Sequence, residues 1–482
     1  MNKTSYSTRF SYALPDVAGQ LIFTFIIGGY MAKFFTDVYG LTAMTCGSIL
    51  GFARIIDGVD APVWGMIFDR AHSRLGKFRP WFLWLCVPFA TFGVLTFLTP
   101  NLSYDGKVIY AAATYIICSV LYTGINTPVT SILTTLTTNP QERITLMSFR
   151  MYGSKLGVLL VNLTALKLVA LLGNGNDRKG YALTLLIFAT ISVLLFLLSF
   201  RNLKEAVPQE RNIQPVLGTF GALRGNWPWF IIFFSSLLFW IGFISRVTVV
   251  PFFLQYNLHR ADLTGYAYSM DFISLATVTL LPWFCKWFSK TAAWGWGLAA
   301  MIAGQLIFSV GLNPNFAAFS LNIHYWFGPN DVISIPAVIT LGWTIGYLGS
   351  GMAMAVPFAV LSDSADYGEW KTGIRAAGLL TAMGAAFCLK AGAGLGAAIP
   401  LWIMGLNGYT ANVAQSPAAL NAIKFGIVWL PTICLTLALL PVFLYRRFER
   451  MERQIHADLE QRRNASSTPP GPLREDDESP RS

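Results

Sequence analysis

The stretch YALTLLIFATISVLLFLLSF, residues 181–200, is twenty residues long and carries no charge. At 1.5 Å of rise per residue an α-helix of that length spans about 30 Å, the thickness of a bilayer's hydrocarbon core. Apolar runs of this kind recur from end to end of the 482-residue chain. They predict about twelve spans, at 16–35, 41–68, 81–98, 108–136, 150–172 and 181–200, then 230–256, 265–288, 294–312, 333–361, 376–405 and 425–445. The longest polar connection before the tail, RNLKEAVPQERNIQPVLGTFGALRGNWP, falls between the sixth and seventh. The expected architecture is an all-α membrane protein of twelve transmembrane helices in two six-helix bundles. The first bundle occupies residues 1–200 and the second 230–445. A central cytoplasmic loop, 201–229, joins them, and a charged tail, 446–482, follows.

Composition excludes other classes. The chain is 54% hydrophobic and 12% charged, about half the charged fraction of a soluble domain. The net charge of +11 is concentrated in DRAHSRLGKFRP, the central loop, GEWKTGIR and RRFERMERQ, whereas the alternate loops hold little beyond Lys107, Arg178, Lys179 and Arg260. That asymmetry is a topology signal placing both termini in the cytoplasm, and it needs no nucleic-acid partner. The six cysteines lie inside apolar runs, as small hydrophobes do. The sequence has no P-loop, no H-E-x-x-H and no nucleophile elbow, and His72, His259, His324 and His456 fall in loops or the tail. Neither an enzyme nor a metal site is expected. The N-terminus reads as a short cytoplasmic tail, not a signal peptide. Residues 446–463 have helical composition, and 465–482, rich in Pro and Ser, are expected to be disordered. The aromatic segment 313–332 reads as an interfacial belt or as a lid.

Ionisable groups inside spans point to function, because each is costly in lipid and usually faces a cavity or a partner. FARIIDGVDAPVWG in the second span carries Arg54, Asp57 and Asp60 at helical spacing, with Gly58 and Pro62 expected to open the helix and free carbonyls for a cation. Self-neutralisation of Arg54 by Asp57 is the structural alternative. Thr123, Asn126 and Thr130 lie in the fourth span, where bonding between helices is an alternative role. Arg150, Lys155 and Lys167 lie in the fifth span. Lys390 in the eleventh demands a counter-charge, for which Asp57 or Asp60 is available. Arg246 and Asp271 are expected to pair with each other.

Several motifs together resemble the glycoside-pentoside-hexuronide:cation symporters, the melibiose-permease relatives within the major facilitator superfamily. They are SYALPD (11–16), FFTDVYGLT (34–42), RIIDGVD (54–60), DRAHSRLGKFRPW (69–81), NPQER (139–143) and DYGEWKTGIRAAGL (366–379). The resemblance implies uptake of a sugar or glycoside by symport with H⁺ or Na⁺, in a bacterial cytoplasmic membrane. The protein is expected to work as a monomer and without cofactors. Carried over residue by residue, Asp57 and Thr123 form the cation site, with Asp60 in the place of a family asparagine added to it. Gln20, Asn126, Thr130 and Arg150 form the substrate site, with which Lys390 is grouped although it matches a family lysine placed near the cation site. Cytoplasmic gating pairs are expected from Asp69, Arg70, Arg74, Lys77 and Arg79 against Asp366, Glu369, Lys371 and Arg375. The melibiose-type pattern has a second carboxylate where this chain has Ala61. That change leaves H⁺, Na⁺ and an uncoupled facilitator all open. Gln20 and Asn126 stand in place of two carboxylates, so the balance near Arg150 and Lys390 favours an anionic hexuronide or glucuronide over a neutral pentoside. A membrane sensor using the tail as a docking arm is a reading from another class.

Overall fold

The computed structural model describes residues 5–27, 29–70, 73, 75–137, 140–205, 225–313, 320–324, 332–373, 380, 384 and 387–467. Twelve helical columns cross it. The first six are α1 (Tyr6–Ile26), α2 (Ala43–Arg70), α3 (Pro80–Thr96), α4 (Tyr104–Ser131), α5 (Pro140–Gly173) and α6 (Asp177–Asn202). The others are α7 (Trp227–Phe252), α8 (Ser274–Trp287), α9 (Lys290–Val310), α10 (Ala337–Thr372), α11 (Cys388–Leu406) and α12 (Leu430–Ser467). Among the described residues, ten columns are long and apolar enough to cross a membrane. Of the other two, α3 is shorter, and α2 carries Arg54, Asp57 and Asp60 along its length.

Helix ends depart from the apolar runs, because hydropathy marks where lipid ends and not where hydrogen bonding ends. α1 begins at Tyr6, capped by the Ser5 hydroxyl, which accepts from the Thr8 N–H at 3.1 Å. α10 continues to Thr372, where Gly373 takes a left-handed φ of 73° and closes the last turn. α12 runs through 446–463 to Ser467, so the first residues of the segment expected to be disordered are helical; 468–482 lie outside the described residues. α2 is unbroken at Gly58 and Pro62, contrary to the expected opening. In a bundle, neighbouring helices keep the ladder closed around a proline. The segment read as belt or lid contributes a strand pair, β1 (Ser320–His324) antiparallel to β2 (Val332–Pro336), with Asn322 opposite Ser334. SLNIH and VISIP have the β-branched composition that favours it.

Small residues set the closest contacts. A Cβ on Gly304 of α9 would lie 2.6 Å from the Gly342 carbonyl oxygen of α10, so only glycine permits that approach. The two sets of six helices meet along α2–α11, at α5 against Thr264–Ser269 ahead of α8, and where Gly29–Lys33 after α1 packs on α7. One buried core runs through the first six helices and into the far ends of the second set, joining Phe25 and Phe34 to Phe252, Met404 and Ile423. A separate core, with Trp229, Trp294, Val356 and Tyr445, belongs to α7–α12 near the chain termini. The halves thus share a core at the end remote from the termini.

Candidate functional site

Two polar clusters are strung along one face of α4, where Ser119, Thr123, Asn126 and Thr130 recur at steps of four, three and four residues. The span from Ser119 to Thr130 is about 16 Å at helical rise.

The first cluster lies between α2, α4 and α11. Arg54 Nη1 donates to Asp57 Oδ2 at 2.6 Å, and Arg54 Nη2 donates to the Tyr115 hydroxyl at 3.0 Å. The Ser119 hydroxyl donates to the same Asp57 oxygen at 2.9 Å. Lys390 Nζ donates to Asp60 Oδ1 at 3.0 Å and also to the Asp57 carbonyl. Thr123 faces Asp60 and interacts with it. Asp57 and Asp60 are 2% and 6% exposed, yet Asp57 Oδ1 and Asp60 Oδ2 have no hydrogen-bond partner among the described residues. Two buried, unbonded carboxylate oxygens one turn apart are an unfinished site, since an unpaired buried acceptor is costly. Each free oxygen is an acceptor of the kind that a small cation or a proton would satisfy. Close approach of the helices depends on Gly394, where a Cβ would meet Arg54 Cβ at 2.7 Å. Lys390, grouped on sequence with the substrate residues, therefore belongs geometrically to Asp60 and not to the cluster around Arg150.

The second cluster lies between α1, α4 and α5. Arg150 Nε donates to Asp16 Oδ2 at 2.8 Å, Nη1 to the Thr130 hydroxyl at 2.8 Å and Nη2 to Asn126 Oδ1 at 3.1 Å. One turn on, Gln20 Nε2 donates to Ser154 Oγ at 3.1 Å, and the Thr24 hydroxyl donates to Gln20 Oε1 at 3.2 Å. Asp16–Arg150 and Gln20–Ser154 are successive rungs between α1 and α5, four residues apart on both helices. Gln20 opens onto a cavity of about 160 Å³ that both halves line, with Phe23, Asn162, Phe243, Tyr268, Asp271 and Tyr347 among its walls.

Across this cavity Lys155 of α5 donates to Asp271 at 2.6 Å and to Ser274 at 3.1 Å, an ion pair joining the halves. The expected Arg246–Asp271 pair does not form. Arg246 instead lies 4.3 Å from the centre of the Tyr347 ring, because Asp271 is turned toward α5. Asp16, Tyr115, Ser119 and Lys155 complete the clusters but received no role from the sequence. Asp16 and Gln20 share a helical face, as do Ser119 and Thr123, and that spacing was the available signal.

The proposed gating residues are partly described. The side chains of Asp69, Arg74 and Arg375 lie outside the described residues. The N–H groups of Lys77, Phe78 and Arg79 donate to the Glu205 carboxylate at 2.9, 2.8 and 2.8 Å, an anion seated at the start of α3. Arg79 Nε donates to the Phe200 carbonyl at 2.5 Å, and Lys371 Nζ to the Gly225 carbonyl at 3.1 Å. None of these bonds joins one bundle to the other; those to Glu205 and Gly225 tie each bundle to an end of the central loop. Arg70, Asp366 and Glu369 have further interactions of their own.

The opposite end is latched. Asp37, in the π-helical turn after α1, accepts from the Tyr256 hydroxyl at 2.8 Å and the Tyr409 hydroxyl at 2.7 Å. Asn412 Nδ2 donates to the Asp37 carbonyl at 2.6 Å. Asp37 lies in the first half, where Thr36 also donates to it, and Tyr256, Tyr409 and Asn412 lie in the second.

Two six-helix sets around a shared cavity, latched at one end and carrying buried charge clusters, define a multi-pass membrane carrier. The family model for MFS/sugar transport proteins matches residues 11–447, and the chain belongs to that family. The isoprimeverose transporter of Lactiplantibacillus pentosus is 38% identical, over 96% of this chain and 92% of that protein. A glucuronide carrier protein homolog of Escherichia coli is 27% identical, over 95% and 96%. The crystal structure of a D-xylose-proton symporter superposes with a TM-score of 0.60 at 18% identity, over 90% of this chain and 97% of that one, and shares the fold.

Proposed function

We propose that the protein imports a neutral glycoside, and does so by symport with a proton. The observation that carries this reading is the pairing of each cation of the two clusters with an acid. Arg150 is held by Asp16, Lys390 by Asp60, Lys155 by Asp271 and Arg54 by Asp57. The positive surplus near Arg150 and Lys390 that favoured an anionic hexuronide on sequence grounds is thereby taken up; Arg246, behind the Tyr347 wall, is a buried cation without an acid among the described residues. The cavity offers Gln20 and Asn162 amides beside aromatic walls, which suits hydroxyl-rich, uncharged rings. Similarity supports the same class: isoprimeverose is uncharged, and the relative named for it shares 38% of residues against 27% for the glucuronide carrier homolog.

The cation cluster favours H⁺ over Na⁺ on the number of ligands. Either ion brings one positive charge toward Arg54 and Lys390, but Na⁺ needs several oxygens around one point, and the free carboxylate oxygens among the described residues there are Asp57 Oδ1 and Asp60 Oδ2. A proton needs one free carboxylate oxygen, and Asp57 Oδ1 supplies it. Protonation of Asp57 weakens its hold on Arg54 and on Ser119. Because Ser119 shares the α4 face with Asn126 and Thr130, the change is relayed to Arg150 and the sugar. Binding of proton and sugar then strengthen each other, as linkage requires. With both termini in the cytoplasm, the Asp37 latch is the external gate, and it is closed in this state. Alternating access is the breaking of that latch and of Lys155–Asp271 as the halves rock.

Uptake of a labelled neutral xyloside and its matched glucuronide into proteoliposomes, under imposed pH or Na⁺ gradients, tests this. Accumulation of the xyloside driven by the pH gradient is expected. Equilibration unaffected by either gradient would mean an uncoupled facilitator. Preference for the glucuronide would overturn the neutral-substrate reading.

A further inference from the structure

Away from the central cavity, α9 and α12 leave a groove of about 300 Å³ on the outer surface of the second half. Its floor is Gly295, Ala299, Leu439 and Val442, its flanks are Trp296 and Phe443, and Thr291 and Arg446 stand at its mouth. Thr291 to Ala299 is about 12 Å of helix, most of the depth of one leaflet's hydrocarbon. The mouth lies where the apolar run of α12 gives way to RRFER, at the level where lipid headgroups begin.

Two features of the mouth ask for an anionic partner. Arg446 is exposed and has no hydrogen-bond or ion-pair partner among the described residues. Arg447, Arg450 and Lys286 are exposed nearby in sequence. Of the acids on the same turns, Glu452 is already engaged, together with Asp363, by Lys290 at 2.9 and 2.8 Å; Glu449 leaves the sum positive. The second feature is the Thr291 hydroxyl. Thr291 is only 5% exposed, lines the groove and has no hydrogen-bond partner for its hydroxyl among the described residues. A buried hydroxyl without a partner is an unpaid desolvation that a ligand oxygen would relieve.

We propose that this groove binds an anionic phospholipid of the leaflet on the side of the chain termini, with its phosphate on Arg446 and one acyl chain along Gly295 and Ala299. The phosphate meets the guanidinium, which suits it in shape and charge. A phosphate or ester oxygen accepts from Thr291. The chain lies against Leu439 and Val442 between the two aromatic flanks. The lipid would bridge α9 and α12, whose packing holds the Trp294–Tyr445 contact.

The test is native mass spectrometry of the full-length purified protein with phosphatidylglycerol or phosphatidylethanolamine of equal chain length. Glycerol phosphate serves as the arm without acyl chains. Wild type should retain phosphatidylglycerol about fivefold better than Arg446→Gln, the factor for one basic residue at a membrane surface. Arg446→Lys should recover most of it. Gly295→Leu, where a Cβ meets nothing closer than Leu439 Cδ1 at 4.0 Å, should fold normally and lose the lipid. Equal retention of the two phospholipids, indifference to both Arg446→Gln and Gly295→Leu, or equal binding of glycerol phosphate would overturn the proposal. Melting of each variant without lipid distinguishes lost binding from lost folding.

Discussion

Arg150 Nε donates to Asp16 Oδ2 at 2.8 Å, one turn before Gln20 on the same helix. This bond fixes the guanidinium so that its other nitrogens reach Asn126 and Thr130, and it neutralises the charge of Arg150, one turn from the cavity that Gln20 lines.

Asp16→Asn should therefore change selectivity as well as affinity. A charge-assisted hydrogen bond is worth about 1.5–3 kcal/mol, so the Kd for a neutral glycoside should rise by about tenfold or more. Competition by a matched glucuronide should improve. Unchanged Kd values for both ligands, measured by calorimetry, would show that Asp16 has no part in the site.

Asp57→Asn replaces the carboxylate to which the coupling proton is assigned but keeps the shape. Uphill accumulation should be lost while exchange of labelled for unlabelled sugar persists across proteoliposomes. Concentrative uptake at the wild-type level in this variant would refute the assignment of the coupling ion to Asp57.

Lys390→Met leaves Asp60, 5% exposed at its side chain, without its counter-charge. Breaking a buried ion pair from one side costs about 3–5 kcal/mol, and a marked drop in Tm should follow in detergent. The double variant Lys390→Met/Asp60→Leu removes both charges and should regain most of the loss. A double variant no more stable than the single one would place the destabilisation elsewhere.

Tyr409→Phe deletes a 2.7 Å bond to the Asp37 carboxylate and should loosen the latch. A loss of about 1.4 kcal/mol shifts a two-state equilibrium tenfold. Alkylation of a cysteine placed at Thr24, in a background without the native cysteines, should accelerate from the side remote from the termini. Labelling rates equal to those of the unaltered latch would argue that Asp37 does not hold the closed state.

Much was legible before any coordinates. Uncharged runs such as 181–200 demand helices, because lipid offers no partner for a free peptide group. Buried acids and bases such as Asp57, Asp60, Arg150 and Lys390 stand out because lipid makes them costly. Spacing also placed Thr123 and Asn126 on one face of α4.

The pairings were a different matter. Arg246 and Asp271 looked like natural partners, yet Asp271 meets Lys155 from the other half, and Arg246 stacks on Tyr347. Lys390 had two acids within reach, and the approach of α11 to α2 at Gly394 gave its Nζ to Asp60. Asp16 passed as a motif letter until α5 brought Arg150 to it. A sequence states which charges are buried, since that follows from composition along one helix. Which charge neutralises which is set by how separate helices pack, and so is the net charge of the cluster around Arg150.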